Sequence, residues 1–129
     1  MRWRKYTLNA DFFAQWSPDS AYVAGWIAGD GSVTYGRHAK VYLMGSLDER
    51  GHLEEMARRM GSNTPVKDYV KASNSGLQVC SQRLVEGLTT SGFIKLNRRI
   101  EIPANLGLAA RCFVRGYFDA DGSFCWVLS

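Results

Sequence analysis

The chain has 129 residues, of which 46% are hydrophobic and 22% charged, a composition typical of one folded domain and unlike that of a disordered chain. It has no apolar run of the roughly 18 residues that a membrane span needs and no signal-peptide core, so we expect a cytoplasmic protein with no membrane partner. Lysine and arginine outnumber the acids 16 to 12, which mildly favours a polyanionic partner. Three cysteines without paired spacing predict neither a disulfide framework nor a zinc site.

The first predicted helix follows Pro18, with Asp19 or Ser20 as its N-cap. Apolar or small residues then fill positions 22–29. Gly31 is predicted to close the helix in the left-handed conformation, because glycine adopts positive φ without steric cost.

The remaining elements are predicted from β-branched runs, caps and glycine stops. Strands are expected at 32–35, 39–44, 66–70 and 76–79, with a turn at 36–38. Two further helices are expected, begun by Asp48 and Ser81 and stopped by Gly61 and Gly92. The predicted order is helix, two strands, helix, two strands, helix, which indicates an α+β fold.

A repeat organises the chain. Residues 113–124 match 22–33 at a constant offset of 91 positions, in identity or in physical type. We therefore expect a first unit at 1–104 and a second at 105–129. Six residues follow Ser123, whereas the first unit continues for much longer, so the second unit is expected to be only begun and truncated.

Both repeated helices carry small residues four positions apart, which allows helix backbones to approach closely. These predicted interface residues are Gly25, Gly29, Gly116 and Ala120. If the helices pack in parallel, Asp30 and Asp121 lie together at their C-termini, where two carboxylates and the helix dipoles favour a cation. Oxygen ligands suit Mg²⁺, which assists phosphodiester hydrolysis. The predicted metal site comprises Asp30, Asp121 and the residues before them, Gly29 and Ala120.

Residues 23–31 and 114–122 resemble the motif of the LAGLIDADG homing endonucleases, and segments 8–18, 81–92 and 97–103 look like those of bacterial, phage and intron-borne members. The resemblance implies an αββαββα unit, present twice in monomers or once in homodimers, with the motif helices at the centre and saddle-shaped antiparallel sheets over double-stranded DNA. It implies Asp30 and Asp121 as the metal-binding acids. The motif's earlier acid is Asp119 in the second copy, whereas Ala28 stands in the first.

The same resemblance implies a basic residue near the scissile phosphate, for which Lys95 and Arg98 are the candidates. Polar strand and turn residues are the expected DNA contacts. They are Ser32, Thr34, Arg37, His38, Lys40, Tyr42, Lys67, Lys71, Asn74 and Gln78.

The leading hypothesis is thus a Mg²⁺-dependent, sequence-specific DNA endonuclease. A catalytically inactive DNA-binding remnant, a maturase, or half of a split endonuclease completed by a homodimer partner or a separately encoded second half is the rival. The third alternative is an α+β domain whose repeats are purely structural. An intein is disfavoured, since no splicing cysteine stands at the N-terminus and the chain ends in Leu128 and Ser129 rather than His-Asn.

Overall fold

The computed structural model describes residues 5–96 and 99–121. Within these residues the helices are α1 (Pro18–Asp30), α2 (Arg50–Arg59), α3 (Gln82–Thr90) and α4 (Ala110–Ala120). The strands are β1 (Gly31–Thr34), β2 (Lys40–Ser46), β3 (Lys67–Tyr69), β4 (Asn74–Cys80), β5 (Ile94–Leu96) and β6 (Arg99–Glu101). None of the helices in this part of the chain is long and apolar enough to cross a membrane.

The first four strands form one antiparallel sheet in the order β1-β2-β4-β3. Alternate residues of its central strands face the helices, and Val41, Leu43, Leu77 and Val79 are all at most 3% exposed. The helices α1, α2 and α3 contact this face of the sheet. The α+β class and the predicted order of the first seven elements are confirmed.

The N-cap of α1 lies two or three residues earlier than predicted. Ser17, and not Asp19 or Ser20, is the N-cap, and its hydroxyl accepts a hydrogen bond from the Ser20 backbone at 3.0 Å. The Ser20 side chain accepts in turn from the Ser17 backbone at 2.8 Å, which completes a reciprocal cap. Pro18 takes the first helical position, where its missing N–H costs nothing.

The predicted N-cap of α2 is also wrong. A short 3₁₀ turn, Leu47–Glu49, precedes the helix, and Ser46 caps that turn together with Glu49. Asp48 lies inside the turn instead of capping α2. The predicted cap of α3 is confirmed, since Ser81 accepts a hydrogen bond from the Leu84 backbone at 3.1 Å.

Gly31 is not left-handed. Its φ and ψ are −147° and −174°, so the chain passes directly from α1 into β1. Glycine is needed there for space, because a Cβ would lie 2.5 Å from the Tyr42 carbonyl oxygen and 2.9 Å from the Ile27 Cα. Gly61 and Gly92, by contrast, have φ of +71° and +99°, as predicted for residues that end helices.

The hairpin formed by β5 and β6 was not predicted from the sequence. Its strands have three residues each, and Lys95 pairs with Ile100 across it. Such short strands give too few residues to show an alternating pattern. The hairpin follows the fully buried Phe93 and places Lys95 beside the end of α1.

Candidate metal centre and nucleic-acid interface

The helices α1 and α4 form the most extensive contact between elements in the described residues. Their backbones touch at two glycines. A Cβ built on Gly25 would lie 2.0 Å from the Phe113 carbonyl oxygen, and one on Gly116 would lie 2.1 Å from the Tyr22 carbonyl oxygen. No side chain fits in either gap, so the predicted close approach is present.

The same packing brings the C-terminal ends of the two helices together. A Cβ built on Gly29 would lie 2.9 Å from the Ala120 Cβ and 3.6 Å from the Asp121 backbone nitrogen. Asp30 ends α1 and Asp121 directly follows α4. Both predicted metal-binding aspartates therefore stand at adjoining helix ends, and both are half-buried.

The electrostatics of Asp30 show a site with excess negative charge. Burial raises the pKa of Asp30 above its usual value of 3.8, and the carboxylates of Glu49 and Asp121 raise it further. Lys95 acts in the opposite direction and lowers it. Ionised Asp30 is thus disfavoured at this position unless a further positive charge approaches.

Glu49 is a neighbour of this site that the sequence did not reveal. Its side chain accepts a hydrogen bond from the Ser46 backbone at 2.8 Å, which holds it after β2 and in reach of Asp30. The spacing of Ser46 and Glu49 is that of a capping box and is visible in the sequence. Nothing in that spacing indicates which part of the chain faces the glutamate.

Lys95, one of the two candidates for the basic catalytic residue, lies beside the end of α1 and bonds three backbone carbonyls there. The ammonium nitrogen is 2.8 Å from the Ile27 carbonyl oxygen, 3.1 Å from that of Ala28 and 2.7 Å from that of Gly31. Burial lowers the pKa of Lys95, and Asp30 raises it. A cation placed on the last carbonyls of a helix compensates its dipole, so Lys95 stabilises the end of α1.

The donor set at the two helix ends fits Mg²⁺. Asp30 and Asp121 offer hard carboxylate oxygens, and a cation beside Asp30 would offset the burial and the neighbouring carboxylates that raise its pKa. No group of three or more His, Cys, Asp and Glu side chains converges on a metal position in residues 5–96 and 99–121. Two carboxylates with water and substrate oxygens are the ligand set that Mg²⁺ takes in such sites.

The sheet face opposite the helices carries polar side chains. The register pairs Ser32 with Tyr42, Thr34 with Lys40, and Tyr42 with Gln78. Cross-strand partners share a face, so these residues line one side of the sheet. Asn74 and Lys67 join this face through pairing with Ser46 and Gly76. Seven of the ten predicted DNA contacts are thus brought together on what we call the open face.

The other three predicted contacts lie in connections. Arg37 and His38 are in the 3₁₀ turn between β1 and β2, and Lys71 is in the turn between β3 and β4. All three are exposed. Tyr69, which the sequence analysis did not single out, lies on the open face beside Asn74 and raises the pKa of Tyr42, for which burial is the larger cause.

A groove of about 1000 Å³ runs over the open face. Its described lining includes four cationic side chains and no aspartate or glutamate; the four are Lys5, Arg37, Lys40 and Lys67. Tyr42 also lines the groove, and the Asp30 charge contributes to raising its pKa. The Tyr42 carbonyl oxygen would lie 2.5 Å from a Cβ built on Gly31, the residue after Asp30, so the Tyr42 backbone adjoins the end of α1.

A second polar cluster joins three helices away from the groove. The Tyr22 hydroxyl of α1 donates to Asp119 Oδ2 of α4 at 2.6 Å and lies 2.6 Å from His52 Nε2 of α2. Because the hydroxyl proton goes to Asp119, His52 Nε2 carries its own proton and donates to Tyr22. Trp26 stacks on the His52 ring, with the ring centroids 4.8 Å apart.

Tyr22 gives the stability of the protein an alkaline dependence. Burial raises the pKa of Tyr22 well above its ordinary value of 10, and the bond to Asp119 adds to this effect. The stabilisation by neutral Tyr22 is fully present below that ordinary pKa and is lost as the pH rises above it. The difference in free energy of unfolding between wild type and Tyr22→Phe should therefore shrink between about pH 8 and about pH 11. Urea unfolding at both values measures it, and a difference that stays constant contradicts the assignment.

Arg98, the other candidate for the basic catalytic residue, lies outside the described residues, as do residues 122–129 of the expected second unit. Neither a protein-family model nor a curated protein matches this chain.

Proposed function

We propose that this protein is a Mg²⁺-dependent DNA endonuclease of the LAGLIDADG type, which binds duplex DNA on its open face and cleaves it beside Asp30 and Asp121. The observation that carries the proposal is the position of the carboxylate pair. Asp30 and Asp121 meet at the adjoining ends of α1 and α4, and Asp30 leads directly into β1, an edge strand of the sheet. The open face of that sheet bears a groove that has four cationic side chains and no acidic one in its described lining.

The groove has the chemistry of a nucleic-acid surface. Lys40 and Lys67 provide charge for phosphates, and Gln78 provides an amide group that can donate to and accept from base edges. Asn74 offers a second amide on the open face outside the groove lining. A polyanion is drawn to such a surface because binding releases its condensed counterions. Acidic side chains among the described residues lie outside this groove, for example Asp30 at the end of α1 and Glu54 and Glu55 on α2.

The side chains at the two helix ends and in the groove would have different roles. Asp30 and Asp121 would hold the ion and orient the scissile phosphate between the two helix ends. A bound Mg²⁺ supplies an activated water and neutralises the leaving oxygen. Lys95 fixes the end of α1, so that the Asp30 backbone keeps its position when the charge at the site changes. Tyr42 would contact DNA in the groove, and its backbone adjoins Gly31, the residue after Asp30.

The direct test is cleavage of a library of random duplexes by the purified chain with Mg²⁺. We expect cutting at a restricted set of sequences and loss of cutting when EDTA is added. Cleavage that persists in EDTA, or that shows no sequence preference, contradicts the proposal.

The groove lysines should set the salt dependence of DNA binding. Lys40→Gln combined with Lys67→Gln should reduce the slope of log Kobs against log salt by roughly 2, since each phosphate contact contributes about 0.9. The matched control is Arg58→Gln with Arg111→Gln, which removes two exposed charges from α2 and α4. Fluorescence anisotropy with a duplex at several salt concentrations measures the slope. An equal reduction in the control places the DNA elsewhere.

A protein that binds DNA without cutting it is the second candidate, and the state of Lys95 favours it. All three ammonium donors of Lys95 are taken by backbone carbonyls, so this lysine does not extend toward a phosphate. Salt-sensitive binding with no cleavage in the library would identify this function.

A further inference from the structure

Two of the differences between the repeated helices are complementary. At the repeat offset of 91, Tyr22 of α1 aligns with Phe113 of α4, and Ala28 of α1 aligns with Asp119 of α4. One helix therefore carries the hydroxyl and the other carries the carboxylate. Tyr22 and Asp119 are the two that meet, at 2.6 Å.

The packing of the helices relates these positions by an approximate twofold axis. Gly25 faces the Phe113 carbonyl oxygen, and the aligned Gly116 faces the Tyr22 carbonyl oxygen, at nearly equal distances of 2.0 and 2.1 Å from an added Cβ. The same operation carries the pair 22 and 119 onto the pair 113 and 28. Ala28 is therefore placed relative to Phe113 as Asp119 is placed relative to Tyr22.

Each of these two pairs is matched in polarity. Tyr22 is 8% exposed and donates a hydrogen bond to Asp119, which stays partly in solvent, with 39% of its side chain exposed. Ala28 and Phe113 are each 2% exposed, and neither has a side-chain donor or acceptor. No buried polar group in either pair lacks a complementary group across the interface.

Pairing of like helices would break both matches. If two α1 helices packed about the same twofold axis, each Tyr22 hydroxyl would face the partner's Ala28. The hydroxyl would then keep His52 as its one hydrogen-bond partner and lose the carboxylate. Two α4 helices would place each Asp119 carboxylate opposite a phenyl ring at position 113. Burying a polar group without its partner costs more than leaving an apolar pair in place.

We propose that these four positions set the pairing specificity of the motif helices: α1 accepts a helix of the α4 type and rejects a second α1. The partner that fits the glycine face of α1 carries a carboxylate at the position of Asp119 and an apolar residue at that of Phe113. A homodimer built through two α1 helices is therefore disfavoured, independently of whether the protein cleaves DNA.

The first experiment is a pair of double-mutant cycles on the whole chain, read by urea unfolding. Tyr22→Phe, Asp119→Ala and their combination test the polar pair. Either single change should raise the unfolding equilibrium constant by roughly 10- to 100-fold, and the second change should add little once the bond is lost. Additive effects in this cycle would overturn the proposal.

The second cycle introduces the same polar pair at the two equivalent positions, 28 and 113. Ala28→Asp alone buries a carboxylate opposite Phe113 and should destabilise the protein, whereas adding Phe113→Tyr supplies a donor and should recover much of the loss. If Ala28→Asp does not fold, Ala28→Asn makes the same comparison, because its amide oxygen accepts the bond without a charge. No recovery by Phe113→Tyr on either background contradicts the twofold relation.

The pairing preference itself is measured by oligomeric state. A helix with Tyr22 and an acceptor at position 28 is complementary to its own copy, so the position-28 variant should form a dimer as concentration rises. Addition of Phe113→Tyr should return it toward monomer, because α4 again competes for α1. Sedimentation equilibrium follows both changes. A position-28 variant that dimerises no more than wild type would show that these residues do not select the partner helix.

Discussion

Asp30→Asn is expected to abolish Mg²⁺-dependent cleavage, by at least about 10³-fold, or roughly 4 kcal/mol of transition-state stabilisation. The amide keeps the shape of the side chain but removes the charge that would hold the ion. DNA binding should change little, because the groove residues are untouched. The cleavage rate on a substrate selected from the library, measured across Mg²⁺ concentrations, gives the effect. Asp121→Asn should behave in the same way.

Asp30→Asn should also change the stability of the protein. The folded-state pKa of Asp30 lies above its ordinary value of 3.8, so the ionised carboxylate opposes folding at neutral pH. Without metal, Asp30→Asn should therefore be more stable than wild type near neutrality, and the gain should vanish as the pH falls below that ordinary value. Mg²⁺ should raise the melting temperature of wild type and not of the variant.

Asp19→Asn is the matched control. It removes one carboxylate from the same helix, at the opposite end, where the side chain is exposed and lies 3.6 Å from Arg59. It should cleave normally and keep its response to Mg²⁺. If Asp30→Asn retains a full Mg²⁺ response while Asp19→Asn loses it, the ion is not held at the helix ends.

Gly116→Ala should destabilise the protein by roughly 2 kcal/mol or more, because the added carbon meets rigid backbone. Its Cβ would stand 2.1 Å from the Tyr22 carbonyl oxygen, so the two helices must separate. The gain in helix propensity, about 1 kcal/mol, does not offset this clash. Gly25→Ala should act alike, since its Cβ would stand 2.0 Å from the Phe113 carbonyl oxygen. Urea unfolding measures both.

Gly51 supplies the control for these two variants. It lies in α2 with no atom within 4 Å of an added Cβ. Gly51→Ala should therefore stabilise the protein by roughly 0.5–1 kcal/mol, the usual gain for this exchange in a helix. Loss of stability at Gly51, or neutrality at Gly116, would mean that helix approach is not what requires glycine at the interface.

Much of the fold was predictable because local signals and the repeat agreed. The spacing of Gly25, Gly29, Gly116 and Ala120 predicted the helix contact, and Ser81 and Gly92 correctly marked the ends of α3. The errors came from competing local solutions. Three polar residues, Ser17, Asp19 and Ser20, stand around Pro18, and the reciprocal bonds of Ser17 and Ser20 select the first of them.

The sequence predicted that Asp30 and Asp121 meet, but it did not predict which other residues surround them. Asp30 and Asp121 followed from the repeat, since equal positions on paired helices must meet. The positions of Glu49 and Lys95 depend on where the turn after β2 and the strand β5 pack against the end of α1. No local sequence pattern encodes that packing. Gly31 shows the same limit: its requirement comes from the Tyr42 carbonyl across the sheet and not from its own conformation.

The contact between α1 and α4 also has a consequence for folding kinetics. Gly25 and Gly116 meet across 91 positions of chain, so the two helices pair only after a long loop closes. Contacts between residues so far apart in sequence slow folding. Until these contacts form, the face of α1 that carries Gly25 is not packed against α4. We expect the sheet with α2 and α3 to assemble first and the carboxylate pair to form in the last step. Nascent chains that end before α4 would expose that face and be prone to aggregation.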